Sequence, residues 1–105
     1  MTQSERRFFR RIDAVVEFHY TSNSPPLTAR IRDLSEGGLF VDTPNPLPVE
    51  SLVTFTFVLQ PVSDKPILGR GVVRWCEEAV GMGVQFLNLA DDDRVKIRQF
   101  VELGD

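Results

Sequence analysis

A chain of 105 residues with 42% hydrophobic content carries enough apolar material for one core and not for two, so a single compact domain is expected. The formal net charge of -3 disfavours a long polyanion such as DNA or RNA as partner, yet four of the twelve lysines and arginines fall at positions 6, 7, 10 and 11, so the basic character is local and suits a small anionic ligand. Cys76 is the single cysteine, which excludes an internal disulfide and points to a reducing compartment, the cytoplasm; no apolar run approaches the roughly 18 residues that cross a bilayer, and no apolar stretch backs the N-terminal residues, so neither export nor stable membrane insertion is expected.

Residues 1–11 read as a flexible arginine-rich arm and residues 12–105 as the domain itself. From 12 to 20 the even positions are Ile12, Ala14, Val16, Phe18 and Tyr20, while Asp13, Glu17 and His19 stand at odd ones; this period of two predicts a half-buried strand. A polar cluster over 21–26 stops it, and Leu27, Ala29 and Ile31 then alternate with Thr28, Arg30 and Arg32 in a second strand. Residues 33–38 interrupt the pattern, which resumes over 39–43 until Pro44, Pro46 and Pro48 impose an irregular connection. Over 52–59, Val53, Phe55, Phe57 and Leu59 share one face against Thr54 and Thr56.

Two further strands are predicted over 67–76 and 80–87, joined by Glu77, Glu78 and Ala79, with the glycines at 69, 71, 81 and 83 read as bends or as points of close backbone approach. Six short strands with short connections predict an antiparallel barrel, because closure removes the edges that an open sheet of this size would expose. After Asn88 the period changes. Asp91, Asp92 and Asp93 suit a helix N-terminus, and Ile97, Phe100 and Val101 share a face, so one short helix is expected after the barrel.

Two clusters carry chemistry. Arg6, Arg7, Arg10 and Arg11 surround Phe8 and Phe9, and contain Arg-x-x-x-Arg in two frames, Arg7 with Arg11 or Arg6 with Arg10. A planar guanidinium pairs with guanine O6 and N7, bridges phosphate oxygens and stacks on a purine, none of which lysine does equally well. The second cluster, Asp33-Leu34-Ser35-Glu36-Gly37-Gly38, reads as Asp-x-Ser-x-x-Gly at a strand-to-strand turn. The Asp33 carboxylate can accept from guanine N1–H and N2–H2, Ser35 can donate to a phosphate or ring nitrogen, and Gly37 and Gly38 allow close backbone approach or a positive φ. Each cluster also has a plainer reading: a solvated basic tail, or an ordinary hairpin with its own Asx and Ser turns.

Both motifs in this order, with Arg11 abutting the first predicted strand, the Gly81-Met82-Gly83-Val84-Gln85-Phe86 strand and the terminal helix, resemble the PilZ domain family of bacterial cyclic di-GMP receptors. The resemblance spans essentially the whole chain. It implies an all-β, six-stranded, split-barrel-type domain with a C-terminal α-helix that binds cyclic di-GMP, singly or as an intercalated pair, through Arg6, Arg7, Arg10, Arg11, Asp33, Ser35, Gly37 and Gly38. It further implies a second-messenger adaptor whose arm becomes ordered on the ligand and signals to a downstream protein. The competing expectation is a scaffold of the same fold that acts by protein contact without nucleotide.

Other residues point elsewhere weakly. His19 has no second histidine or cysteine at ligand spacing, so no metal or other cofactor is expected, and no nucleophile-base constellation supports an enzyme. Phe8 and Phe9 among cations permit a membrane-surface contact but supply little apolar area. Trp75 reads as core or barrel-rim packing, or as a flank to bound nucleotide, while Arg70 and Arg74 would extend the basic surface from one face of a strand.

Overall fold

Alternating apolar and polar side chains roll the chain into a closed barrel. The computed structural model describes the backbone of Arg10–Arg11 and residues 15–103. In chain order the strands are β1 (Arg10–Arg11), β2 (Glu17–Thr21), β3 (Leu27–Leu34), β4 (Gly38–Asp42), β5 (Leu52–Phe57), β6 (Ile67–Glu77) and β7 (Gly81–Phe86), followed by helix α1 (Asp91–Leu103). Neighbours pair antiparallel in the order β3-β2-β5-β6-β7-β4, and β4 returns to pair with β3, so these six strands close on themselves. β1 adds along β3, with Arg10 across from Leu34 and Arg11 across from Asp33.

The expected six-stranded barrel with a terminal helix is present, with shifted bounds. Of the strand predicted over 12–20, Ile12, Asp13 and Ala14 lie outside the described residues, and β2 supplies the rest. Asp33 and Leu34, read as part of an interrupting turn, still belong to β3. β5 ends at Phe57, although Leu59 beyond it is buried as its alternation requires.

Inside the barrel the rings of Phe18, Tyr20, Phe55, Phe57 and Phe86 pack with centroids 5.2–6.3 Å apart. Burial of one such side chain contributes about 1.5–3 kcal/mol, so this column outweighs any surface ion pair in holding the fold. Helix α1 starts where its three aspartates meet the positive end of the helix, and the N–H groups of Asp93 and Arg94 donate to Ala90 carbonyl at 3.0 and 3.1 Å. Its buried Ile97 and Phe100, with Val101 partly buried, complete the core as the spacing predicted. No helix among the described residues is long and apolar enough to cross a membrane.

The close backbone approach expected of the strand glycines is present at Gly71 and Gly81. None of the described glycines has a positive φ. A Cβ on Gly81 would run into the Val41 carbonyl oxygen and one on Gly71 would lie 2.8 Å from that of Gln85, while one on Gly69 would lie 2.9 Å from Phe55 Cζ inside the barrel. The irregularities fall elsewhere, at bulges between Ile31 and Asp33 in β3 and between Val73 and Trp75 in β6.

Candidate functional site

Each bulge inserts an arginine. On β3, Ile31 faces Val41 and Asp33 faces Phe40, leaving Arg32 as the extra residue. On β6, Val73 faces Val84 and Trp75 faces Gly83, leaving Arg74 extra. A bulge of this kind resets alternation, so residues after it change face. Trp75 is therefore outside the barrel and 53% exposed, which corrects the expectation of core packing.

The register then forms one cross-strand row on the outer wall. Arg11 pairs with Asp33, Asp33 with Phe40, Phe40 with Gly83, and Gly83 with Trp75. The Trp75 ring packs beside Gly83 against Phe40, with centroids 5.4 Å apart at 52°. Arg32 covers Phe40 from the other side, its Cζ 4.8 Å from the ring centroid, while its Nη2 pairs with the Asp42 carboxylate. Between its arginine and its indole, Phe40 is only 3% exposed although it points away from the core.

Beside this row lies a shallow cavity of about 260 Å³, with Ser35, Gly37 and Gly38 on one side and Arg74, Trp75 and Gln85 on the other. Arg74 is held by Gln85 Oε1 at 2.7 Å and Glu50 Oε2 at 3.2 Å. Arg70, expected to act with Arg74, lines a separate, larger depression of about 890 Å³ together with Thr21, Asn23 and Glu50, away from the motif residues. Glu50, which pairs with Arg74, lines the same depression as Arg70.

Within the turn the plainer hairpin chemistry is also present. The Ser35 N–H and hydroxyl donate to Gly38 carbonyl at 2.9 and 3.2 Å, the Gly37 N–H donates to Ser35 Oγ at 3.3 Å, and the Phe86 N–H donates to Gly37 carbonyl at 2.9 Å. These bonds fix the turn and leave Ser35 half-buried at the cavity edge. Gly38 abuts the backbone of Val84, whereas no atom lies within 4 Å of a Cβ placed on the exposed Gly37.

Sequence reading missed the attachment of this turn to α1. Arg98 donates to the Glu36 carboxylate from Nε at 2.9 Å and from Nη2 at 3.1 Å, and Arg94 Nη1 reaches Glu36 carbonyl at 3.4 Å. The Arg98 hydrogen bonds hold the Glu36 carboxyl below the usual glutamate range and raise the Arg98 guanidinium in turn. The i, i+4 spacing of Arg94 and Arg98 marks a basic face on the predicted helix, the one sequence signal available.

Of the predicted ligand residues, Asp33, Ser35, Gly37 and Gly38 are thus gathered at one end of β3 and β4, and the Arg10–Arg11 backbone runs along that end of β3. Arg6 and Arg7 lie outside the described residues. No group of three or more His, Cys, Asp or Glu side chains among the described residues could hold a metal ion.

The PilZ domain family model matches residues 5–103, and the chain belongs to that family. Solved structures with the same fold include the Bacillus subtilis inhibitor of motility MotI/DgrA, with a TM-score of 0.77 and 19% identity over 93% of this chain and 50% of that one. MrkH of K. pneumonia has a TM-score of 0.75 and 20% identity over 93% of this chain and 48% of that one. Borreliella burgdorferi PlzA, in complex with c-di-GMP, has a TM-score of 0.65 and 17% identity over 96% of this chain and 38% of that one. The chain therefore spans about half the length of the first two or less of the third, and at these identities the likeness is one of fold. No curated protein matches the chain.

Proposed function

We propose that this domain is a receptor for cyclic di-GMP that acts by binding rather than catalysis, in the cytoplasm, and passes the signal to a protein partner. The observation that supports the reading is the backbone register that pairs Arg11 with Asp33 and continues from Asp33 through Phe40 and Gly83 to Trp75, because it brings a carboxylate and an aromatic surface onto one wall beside the strand that carries Arg11. Asp33 selects guanine through N1–H and N2–H2, and Trp75 offers the half-exposed ring on which a base stacks. Arg11, the register partner of Asp33, supports the Arg7 with Arg11 frame for gripping guanine and phosphate, with Arg6 and Arg10 beside them. The cavity is smaller than the roughly 300–1,000 Å³ of drug-sized sites, so it would take one end of the dinucleotide while the arginine segment closes over the rest. Binding thereby creates a new surface for the partner.

Calorimetric titration with cyclic di-GMP, repeated on Arg11→Ala, Asp33→Ala and Trp75→Ala, tests this. Micromolar or tighter binding is expected, with the Trp75 change weakening it by about 1–3 kcal/mol. Absence of heat from the folded wild-type chain refutes the receptor reading and leaves the scaffold.

A further inference from the structure

The turn carrying Ser35, Gly37 and Gly38 is fastened at its centre to α1. Glu36 sits between two cavity-lining residues, and its carboxylate receives both hydrogen bonds of one guanidinium, at 2.9 and 3.1 Å. Arg94, one helical turn before Arg98, holds the carbonyl of the same residue. Ile97, fully buried between these arginines in sequence, anchors the helix in the barrel core. The pair itself buries little, since the Arg98 and Glu36 side chains are 54% and 40% exposed. Its effect is therefore on where the turn sits rather than on how well the core packs.

We propose that Glu36 and Arg98 are positioning residues of the nucleotide site, which restrict the 33–38 turn to its binding conformation and couple ligand occupancy to the docking of α1. This rests on the cyclic di-GMP reading. Neither side chain needs to touch the ligand. A turn that samples other conformations binds in proportion to its competent fraction, so release of the clasp lowers apparent affinity. Linkage makes the effect reciprocal: bound ligand, by fixing the turn, also tightens the helix. The exposed Val95, Gln99 and Glu102 then lie on an element whose order reports whether the site is filled.

The charge of the ligand separates this from a field effect. Cyclic di-GMP is anionic, so if long-range electrostatics alone mattered, Glu36→Gln would strengthen binding, Arg98→Gln would weaken it, and the double variant, with unchanged net charge, would match wild type. The clasp gives a different pattern.

Calorimetry on the full chain, with folding checked by circular dichroism, is expected to show each single variant binding cyclic di-GMP about fivefold more weakly, the upper end for an exposed pair, and the double variant no weaker than either single. Amide exchange should show α1 gaining protection on ligand addition in wild type and much less in Arg98→Gln. Unchanged or tighter binding by Glu36→Gln, recovery of affinity in the double variant, or equal protection in both proteins overturns the proposal. Failure of wild type to bind at all refutes the receptor reading and this inference together, whereas wild-type binding with indifferent variants refutes the clasp alone.

Discussion

Gly38→Ala asks whether the last position of the Asp-x-Ser-x-x-Gly turn serves a ligand or the barrel. A Cβ there runs into the carbonyl oxygen of Val84 and comes within 3.2 Å of Gln85 Cα, both in the backbone of β7. Those atoms are fixed by the β4–β7 ladder, in which Gly38 faces Gln85, and they have no rotamer to escape into. Local separation of the strands is the remaining response, and overpacking of this kind costs about 1–3 kcal/mol. For a domain near this size a mid-range cost lowers the melting temperature by about 10–15 °C. Gly37→Ala is the matched control: its Cβ meets nothing within 4 Å and its φ is not positive, so its stability should stay within about 0.5 kcal/mol of wild type. Thermal unfolding of the two variants without ligand, followed by circular dichroism, makes the comparison. Equal melting temperatures for Gly38→Ala and wild type would refute the steric reasoning and return this glycine to the ligand.

Phe40→Ala should cost about 3–5 kcal/mol despite the outward direction of the ring, because the residue is as hidden as a core side chain; an unaltered denaturant midpoint contradicts this. The same variant should shift the emission of Trp75, the single tryptophan, by removing its ring neighbour. Glu36 predicts a pH dependence. Its folded carboxyl titrates below the usual range, so the stabilisation is complete above the unfolded pKa and is lost as pH falls through the lowered folded value. The gap in unfolding midpoint between wild type and Glu36→Gln should accordingly be widest near neutrality and close on acidification, and a constant gap across the titration contradicts the assignment.

Where alternation is local and unbroken, the chain could be read directly. Val16, Phe18 and Tyr20, then Val53, Phe55, Phe57 and Leu59, are buried as their period of two requires, and Ile97 and Phe100 as their helical spacing requires. Trp75 escaped the same reasoning because Arg74 is an unpaired insertion: counting by twos from Ile67 puts position 75 inside with Val73, and only the partner strand reveals the reset. The strand glycines allowed either bends or close approach, and only the partner strands, which bring the Val41 and Gln85 carbonyl oxygens against Gly81 and Gly71, reveal the second. Glu36 and Arg98 are 62 positions apart, so no window of sequence holds both. The turn motif, by contrast, was legible because its residue types and spacing are local, and β3 and β4 deliver its members to one end of the barrel.

A closed wall has two sides populated by different side chains. Phe18, Phe57 and Ile97 stand within, while Arg74, Trp75 and Gln85 stand without. Drift in the outer set leaves the fit of the inner set untouched, so descendants of such a domain can change what that face presents without first acquiring compensating mutations. Phe40 stands apart, a residue of the outer face on which thermal robustness also depends, as it does on Gly38 in the neighbouring turn, so change at either position answers to selection for folding.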